Sequence, residues 1–198
     1  MNNRIGILIR TENTSYENNM YISAIEKFGG KIIFIKDNEK EENIKKKLAN
    51  ISGILLTGGY CVGKYDFMLI KYALDNNLKI LGICQGMQSM ALYDTKNHLI
   101  GIENNSHNKD EGYVHKVYLK ESVFSNILNR REIMVNSHHF QTVNSSKVFD
   151  VVGYSDDNLI EVVEISKHKF QIGVQWHPER MIEYDEVSNI ILKNFVNL

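Results

Sequence analysis

Cys84 lies within Gly82-Ile83-Cys84-Gln85-Gly86, where the apolar run Lys79 to Ile83 gives way to a stretch carrying Met87, Met90 and Ala91. A cysteine flanked by glycines at a strand-to-helix junction is the thiol version of the sharp turn on which hydrolases expose a nucleophile. The glycines leave room for a turn too tight for neighbouring side chains. A helix N-terminus beside the sulfur lowers a thiol's pKa and enriches the thiolate. The same turn frees the Gln85 N–H to point at whatever the sulfur attacks, which is half of an oxyanion hole. Leu55-Leu56-Thr57-Gly58-Gly59 ends a neighbouring apolar run in a glycine pair suited to supply the other N–H. Alone, the pattern equally describes a cysteine packed in a strand end.

A thiolate nucleophile needs a base, and the base needs an orienting partner. Val174-Gln175-Trp176-His177-Pro178-Glu179 supplies both just after another apolar run, on a turn held by the only proline of the chain. A carboxylate at Glu179 can accept the His177 ring N–H, fix its tautomer and stabilise the imidazolium. The bland alternative, a Pro-Glu helix start with an incidental histidine, weakens once the cysteine turn is considered with it.

The surrounding elements must bring these segments together. Short apolar runs (Ile5–Ile9, Ile32–Ile35, Ile54–Leu56, Lys79–Ile83) alternate with amphipathic stretches, the pattern of an α/β domain with a mostly parallel sheet flanked by helices. Thr14 and Glu17 form a capping box for a helix with Tyr21, Ile25 and Phe28 on one face, stopped at Gly29-Gly30. The Lys45-Lys46-Lys47 run reads as a solvated helix face. Phe67, Ile70 and Leu74 mark a further helix. From about Leu99 to Val174 short alternating runs predict a smaller antiparallel region, with Lys167-His168-Lys169 as a hairpin turn. Val187, Ile190, Ile191 and Phe195 predict a closing helix. No repeat or linker interrupts the chain, so one domain over residues 1–198 is expected.

Composition narrows the function classes. The chain has 198 residues, 43% hydrophobic and 24% charged, with 23 basic against 24 acidic side chains. A net charge of −1 gives no field for steering onto nucleic acid or acidic membranes. No apolar run approaches a membrane span, and Ile5–Ile9 is too short for a signal peptide. Two cysteines make no disulfide framework, so a cytoplasmic protein is expected. Cys61 reads as a small loop residue, His107 as solvent-facing and His115 as bordering a pocket. None of the histidines has metal-ligand spacing, so no metal is expected.

Gly-Ile-Cys-Gln-Gly-Met-Gln at 82–88 and Gly-Val-Gln-Trp-His-Pro-Glu at 173–179 resemble the two signatures of class I glutamine amidotransferase-like proteins. Val135-Asn136-Ser137-His138-His139-Phe140-Gln141 resembles a third segment, found in the γ-glutamyl hydrolase branch, peptidase C26. The resemblance implies a flavodoxin-like fold and a catalytic triad of Cys84, His177 and Glu179. It implies oxyanion donors at Gly59 and Gln85, and a glutamyl-binding set of Gly58, Gln88, Asn136, Ser137, His138 and His139. The reaction it implies is cofactor-free hydrolysis of a γ-glutamyl C–N bond through a thioester. Departures from the family pattern are Gln85 where arginine is frequent, Phe140 where relatives place a second histidine, and Tyr60-Cys61-Val62 in place of an acidic residue.

Size and a Lys-, Asn- and Ile-rich composition are similar to the γ-glutamyl-CDP-amidate hydrolases of capsule phosphoramidate pathways. That resemblance implies a nucleotide-linked substrate, whose diphosphate would need cations; Arg10 and Lys64 are the candidates, each taken alone more simply read as a solvated surface charge. Alternatives are a γ-glutamyl-γ-aminobutyrate-type hydrolase and a glutaminase subunit feeding ammonia to a partner synthase, the latter not favoured. A non-catalytic binder, a different cysteine hydrolase sharing the elbow and a zinc hydrolase fit the residues less well.

Overall fold

A computed structural model describes residues 3–103, 105–109, 112–168 and 170–198. The strands in chain order are β1 (Arg4–Ile9), β2 (Lys31–Lys36), β3 (Gly53–Leu56), β4 (Lys79–Ile83), β5 (Ile100–Gly101), β6 (His115–Leu119), β7 (Glu132–Val135), β8 (Gln141–Thr142), β9 (Asp150–Ser155), β10 (Ile160–Glu164) and β11 (Gln171–Val174). The helices are α1 (Ser15–Lys27), α2 (Glu41–Leu48), α3 (Lys64–Asp75), α4 (Gln85–Leu92), α5 (Val123–Leu128) and α6 (Glu186–Asn197). Nine strands form one sheet in the order β2-β1-β3-β4-β11-β10-β9-β6-β7, and β5 pairs with β8 in a small second sheet.

Five strands, β2 to β11 in that order, run parallel. Their sheet is buried on both faces, and β3 has all four residues buried, which fits its unbroken apolar run. From β11 outward every pairing is antiparallel. The antiparallel region anticipated for the second half is therefore a continuation of the main sheet. One core layer packs around Leu55, Ile83, Trp176 and Phe195, the other around Leu56, Ile70, Met90 and Val163.

The register of this sheet assembles the site. Leu56 on β3 pairs with Gly82 on β4, and Ile83 pairs with Val174 on β11. Parallel strands in register release their following residues at one carboxyl edge, where open α/β sheets bind ligands. Gly58, Cys84 and His177 follow those strands within two or three residues, so the pairing alone gathers them.

The Thr14 capping box forms as expected: the Glu17 N–H donates to Thr14 Oγ1 (3.2 Å) and the Thr14 N–H to the Glu17 carboxylate (2.8 Å). Gly29, at φ +81°, ends α1 in the left-handed region. Helix α5 was not anticipated. Its six residues are held by Glu164 of β10, whose carboxylate accepts the N–H groups of Val123 (2.9 Å) and Phe124 (2.8 Å). Ser122 also caps it locally, its Oγ accepting the Ser125 N–H (3.1 Å), a signal that the short alternating apolar runs around it obscured. Of the predicted 167–169 turn, Lys169 lies outside the described residues. Among the described residues no helix is long and apolar enough to cross a membrane.

Candidate active site

Cys84 sits at φ 52°, ψ −109°, between β4 and α4. A side-chain-bearing residue in that conformation is strained by about 1–3 kcal/mol. The glycines around it make the turn possible. A Cβ on Gly86 would lie 2.2 Å from the Leu56 carbonyl oxygen, and one on Gly82 would lie 2.7 Å from the Gly86 backbone. Gly86 is therefore required for α4 to pack directly on β3, and Gly82 for it to pack on β4. The Cys84 N–H donates to the Val174 carbonyl (2.9 Å), which ties the turn to β11.

His177 is buried, and its Nδ1–H donates to Glu179 Oε1 at 2.6 Å. Burial pushes the imidazole's pKa down, but the Glu179 carboxylate and then Cys84 push it further up, to about 9. The ring is thus held as an imidazolium beside the sulfur. Nε2 makes no other hydrogen bond among the described residues. Asn136 fixes the backbone: its Nδ2 donates to the His177 carbonyl (2.8 Å), and its Oδ1 accepts the His177 N–H (2.8 Å).

A Cβ on Gly58 would stand 3.2 Å from His177 Cε1 and 3.5 Å from Cys84 Cβ, so the glycine loop touches both side chains. The Gly58 N–H donates to the Tyr21 hydroxyl oxygen (3.0 Å), Asn13 Nδ2 donates to the Gly58 carbonyl (3.0 Å), and the Tyr60 N–H donates to Glu12 (2.7 Å). Gln85 reaches across to the Cys61 carbonyl, closing the loop against the start of α4. Among the described residues neither the Gly59 nor the Gln85 backbone N–H donates a hydrogen bond, which leaves both free for an anion.

A cavity of about 140 Å³ opens over the sulfur and is lined by Gly58, Gly59, Gln88, His138 and His139 among others. Gln88 points its amide at the Gln141 carbonyl (2.8 Å) and Gln175 Oε1 (3.1 Å). A second cavity of about 870 Å³ shares His138, Glu17 and Arg180 with the first and adds Lys109.

Four expectations need correction. Arg10 is no free cation: it is buried, its Nη2 lies 2.6 Å from Asp66 Oδ1, and it also donates to the Thr57 carbonyl. Lys64 is exposed, 3.5 Å from Glu41, and lines a separate depression with Arg10 and Cys61 rather than the Cys84 cavity. Asn136 has spent its amide on His177, and Ser137 is wholly buried with its hydroxyl donating to the His107 carbonyl (2.9 Å); neither lines the cavity over the sulfur. His107, expected in solvent, is buried. Burial lowers the His139 pKa to about 4.

Two contributors were missed in the sequence. Tyr21 read as a core residue of α1, and only the fold brings its hydroxyl to Gly58; burial raises its pKa well above the usual phenol value. Gln175 Nε2 donates to Cys84 Sγ (3.6 Å) from the strand end preceding His177. Both signals are long-range.

The peptidase C26 family model matches residues 6–64 and 62–179 of the chain. A Schizosaccharomyces pombe protein named "Putative glutamine amidotransferase PB2B2.05" is 32% identical over 89% of this chain and 80% of its own length. The CTP synthase of Sulfolobus acidocaldarius is 28% identical over 72% of this chain, which spans 34% of that enzyme. A solved glutamine amidotransferase from Thermotoga maritima superimposes with a TM-score of 0.72, covering 98% of each chain at 15% identity.

Proposed function

Since the chain belongs to the peptidase C26 family and is an enzyme of the glutamine amidotransferase class, we propose that it hydrolyses a γ-glutamyl C–N bond with Cys84 as nucleophile, His177 as acid and base, and Glu179 as the orienter of His177. One observation carries this reading: a strained cysteine, an imidazole raised to about 9 by a carboxylate 2.6 Å away, and the Gly58-Gly59 pair line one cavity.

The Cys84 thiolate forms a bond to the γ-carbonyl carbon, and the oxyanion rests on the Gly59 and Gln85 N–H groups. Loss of one such donor costs about 2.7–4 kcal/mol of barrier. The C–N bond then breaks as His177 Nε2 gives its proton to the departing nitrogen. Water attacks the thioester, returns a proton to Nε2 and releases glutamate with the thiolate. Gly58, Gln88, His138 and His139 would shape the glutamyl pocket, as residues lining the cavity.

For the leaving group we favour an anion. Arg180 and Lys109 line the larger cavity that continues from the sulfur, and they replace Arg10 and Lys64 as the cations for a carboxylate or a diphosphate. γ-Glutamyl-CDP-amidate and γ-glutamyl-γ-aminobutyrate both meet that requirement. A glutaminase that passes ammonia to a synthase is the second reading, supported by the similarity to CTP synthase. Glutamate release from glutamine, γ-glutamyl-γ-aminobutyrate and γ-glutamyl-CDP-amidate separates them. Turnover of γ-glutamyl-CDP-amidate no faster than glutamine removes the nucleotide substrate. Weak glutamine turnover that rises sharply on adding a synthase would favour the second reading.

A further inference from the structure

We propose that His107, His115, His139 and Glu161 form a closed structural site for a zinc-class divalent cation, behind the wall of the Cys84 cavity. The four residues come from distant parts of the chain: His107 from the turn before β6, His115 from the start of β6, His139 from the segment after β7, and Glu161 from β10. One donor atom each from His107, His139 and Glu161 lies within 4.8 Å of the others. His107 Nδ1 and His139 Nε2 each lie 3.8 Å from Glu161 Oε1; His115 Nε2, outside that mutually close group, is 3.4 Å from the same oxygen and can be drawn in as a fourth donor.

Glu161 is fully buried, and neither of its carboxylate oxygens has a hydrogen-bond partner; the same holds for His139 Nε2 and both His115 nitrogens. A buried carboxylate without donors is costly. Protonated histidines would pair with it at about 2.7–2.9 Å. The observed separations are longer, and close to the ~3.3 Å edge of a tetrahedron with zinc-ligand bonds of ~2.0–2.1 Å.

The outer contacts point the same way. His107 Nε2 faces Asp157 Oδ2 (3.0 Å), and His139 Nδ1 faces the Gln141 carbonyl (3.0 Å). Both acceptors can only accept, so each ring carries its proton there and turns its other nitrogen's lone pair toward Glu161. Ser137 Oγ, 3.2 Å from His107 Nδ1, donates its own proton to the His107 carbonyl and offers the ring none. Three imidazoles and one carboxylate suit zinc, whereas calcium and magnesium demand oxygen donors. With His115 drawn in beside the three mutually close donors no position stays open, and the ion is structural. It would pin the 137–141 segment, whose His138 and His139 line the Cys84 cavity, against the sheet. His115, with a side chain 10% exposed, gives the entry edge.

The test is metal titration of the chelator-treated full chain with Co²⁺ and then Zn²⁺. The expected result is one equivalent of cobalt with the intense visible absorption of a four-coordinate ion and no thiolate charge-transfer band. Zinc should displace it and raise the unfolding temperature. Glu161→Gln should abolish stoichiometric binding, and Asp157→Asn should weaken it about 10- to 100-fold. If Glu161→Gln does not fold, His115→Asn at the solvent edge carries the same expectation. Cys84→Ala should keep the cobalt spectrum. Absence of stoichiometric binding, an unaltered affinity in the ligand variants, or loss of the spectrum in Cys84→Ala would overturn the site.

Discussion

Replacing Glu179 with glutamine keeps a hydrogen-bond acceptor beside His177 Nδ1 but removes the charge. In the wild type that charge leads the effects that lift the imidazole from 6.5 to about 9 against burial. At 1.36 kcal/mol per unit the net lift corresponds to about 3 kcal/mol favouring the imidazolium. Without the carboxylate the leading upward contribution is lost, Cys84 alone opposes burial, and the His177 pKa falls back toward its ordinary 6.5. If the reactive form is thiolate with imidazolium, the alkaline limb of kcat/KM moves from about pH 9 toward pH 6.5. At pH 8 the protonated fraction drops from about nine-tenths to about 3%, a loss of about thirtyfold from protonation alone. The sign for stability follows from the same shift. Because the folded pKa is raised, the stabilisation due to His177 is fully present below about pH 6.5 and lost as pH rises toward 9. Relative to the variant, the wild type should therefore lose its advantage over that window. The assay is the pH dependence of γ-glutamyl p-nitroanilide hydrolysis, with ring titration of His177 by NMR. An alkaline limb that stays near pH 9 in Glu179→Gln would refute the electrostatic argument.

Cys84→Ala should abolish turnover and keep the fold, whereas Cys84→Gly, equally inactive, should be about 1–2 kcal/mol more stable than the alanine variant because glycine relieves the positive φ; chemical denaturation of the two compares them. Arg10→Ala should destabilise the protein by about 3–5 kcal/mol, since it strands the buried Asp66 carboxylate; an unchanged denaturation midpoint would mean the pair is not structural. Arg180→Gln should lower kcat/KM for γ-glutamyl substrates with anionic leaving groups at least tenfold and leave glutamine within a factor of three, and equal losses on both would exclude a role at the leaving group.

How much of this was legible in the sequence depends on the range of each cause. The capping box of α1, the run of β4 and the glycines at 82 and 86 are local, and the spacing of residue types determines them. The parallel half of the sheet was likewise readable, because strands buried on both faces leave unbroken apolar runs. Helix α5 was harder to read: its Ser122 cap is local, but six residues carry too little periodicity to stand out, and the Glu164 carboxylate that also holds its first turn comes from another strand. The family resemblance implies substrate contacts at Asn136 and Ser137, yet their side chains bond to the backbone of His177 and of His107. Arg10 shows the same limit: its position at the end of β1 was clear, but not the carboxylate on α3 that neutralises it.

The two histidine groups make the point sharpest. His177 and Glu179 are two residues apart on one turn, so a proton-sharing pair could be inferred from spacing, and the chain delivers it at 2.6 Å. His107, His115, His139 and Glu161 have no motif spacing because they meet only where β6 and the 105–109 and 137–141 segments fold over β10. β10 lies beside β11, whose end carries His177, and the Gln175 N–H donates to the Glu161 carbonyl (2.9 Å). The orphaned carboxylate and the His177 imidazole thus hang from adjoining strands. A shift of β10 that relieved Glu161 would be transmitted to the strand end that presents His177 to Cys84. The cluster and the strand end that presents His177 are therefore joined by strand pairing, through the Gln175 N–H and the Glu161 carbonyl.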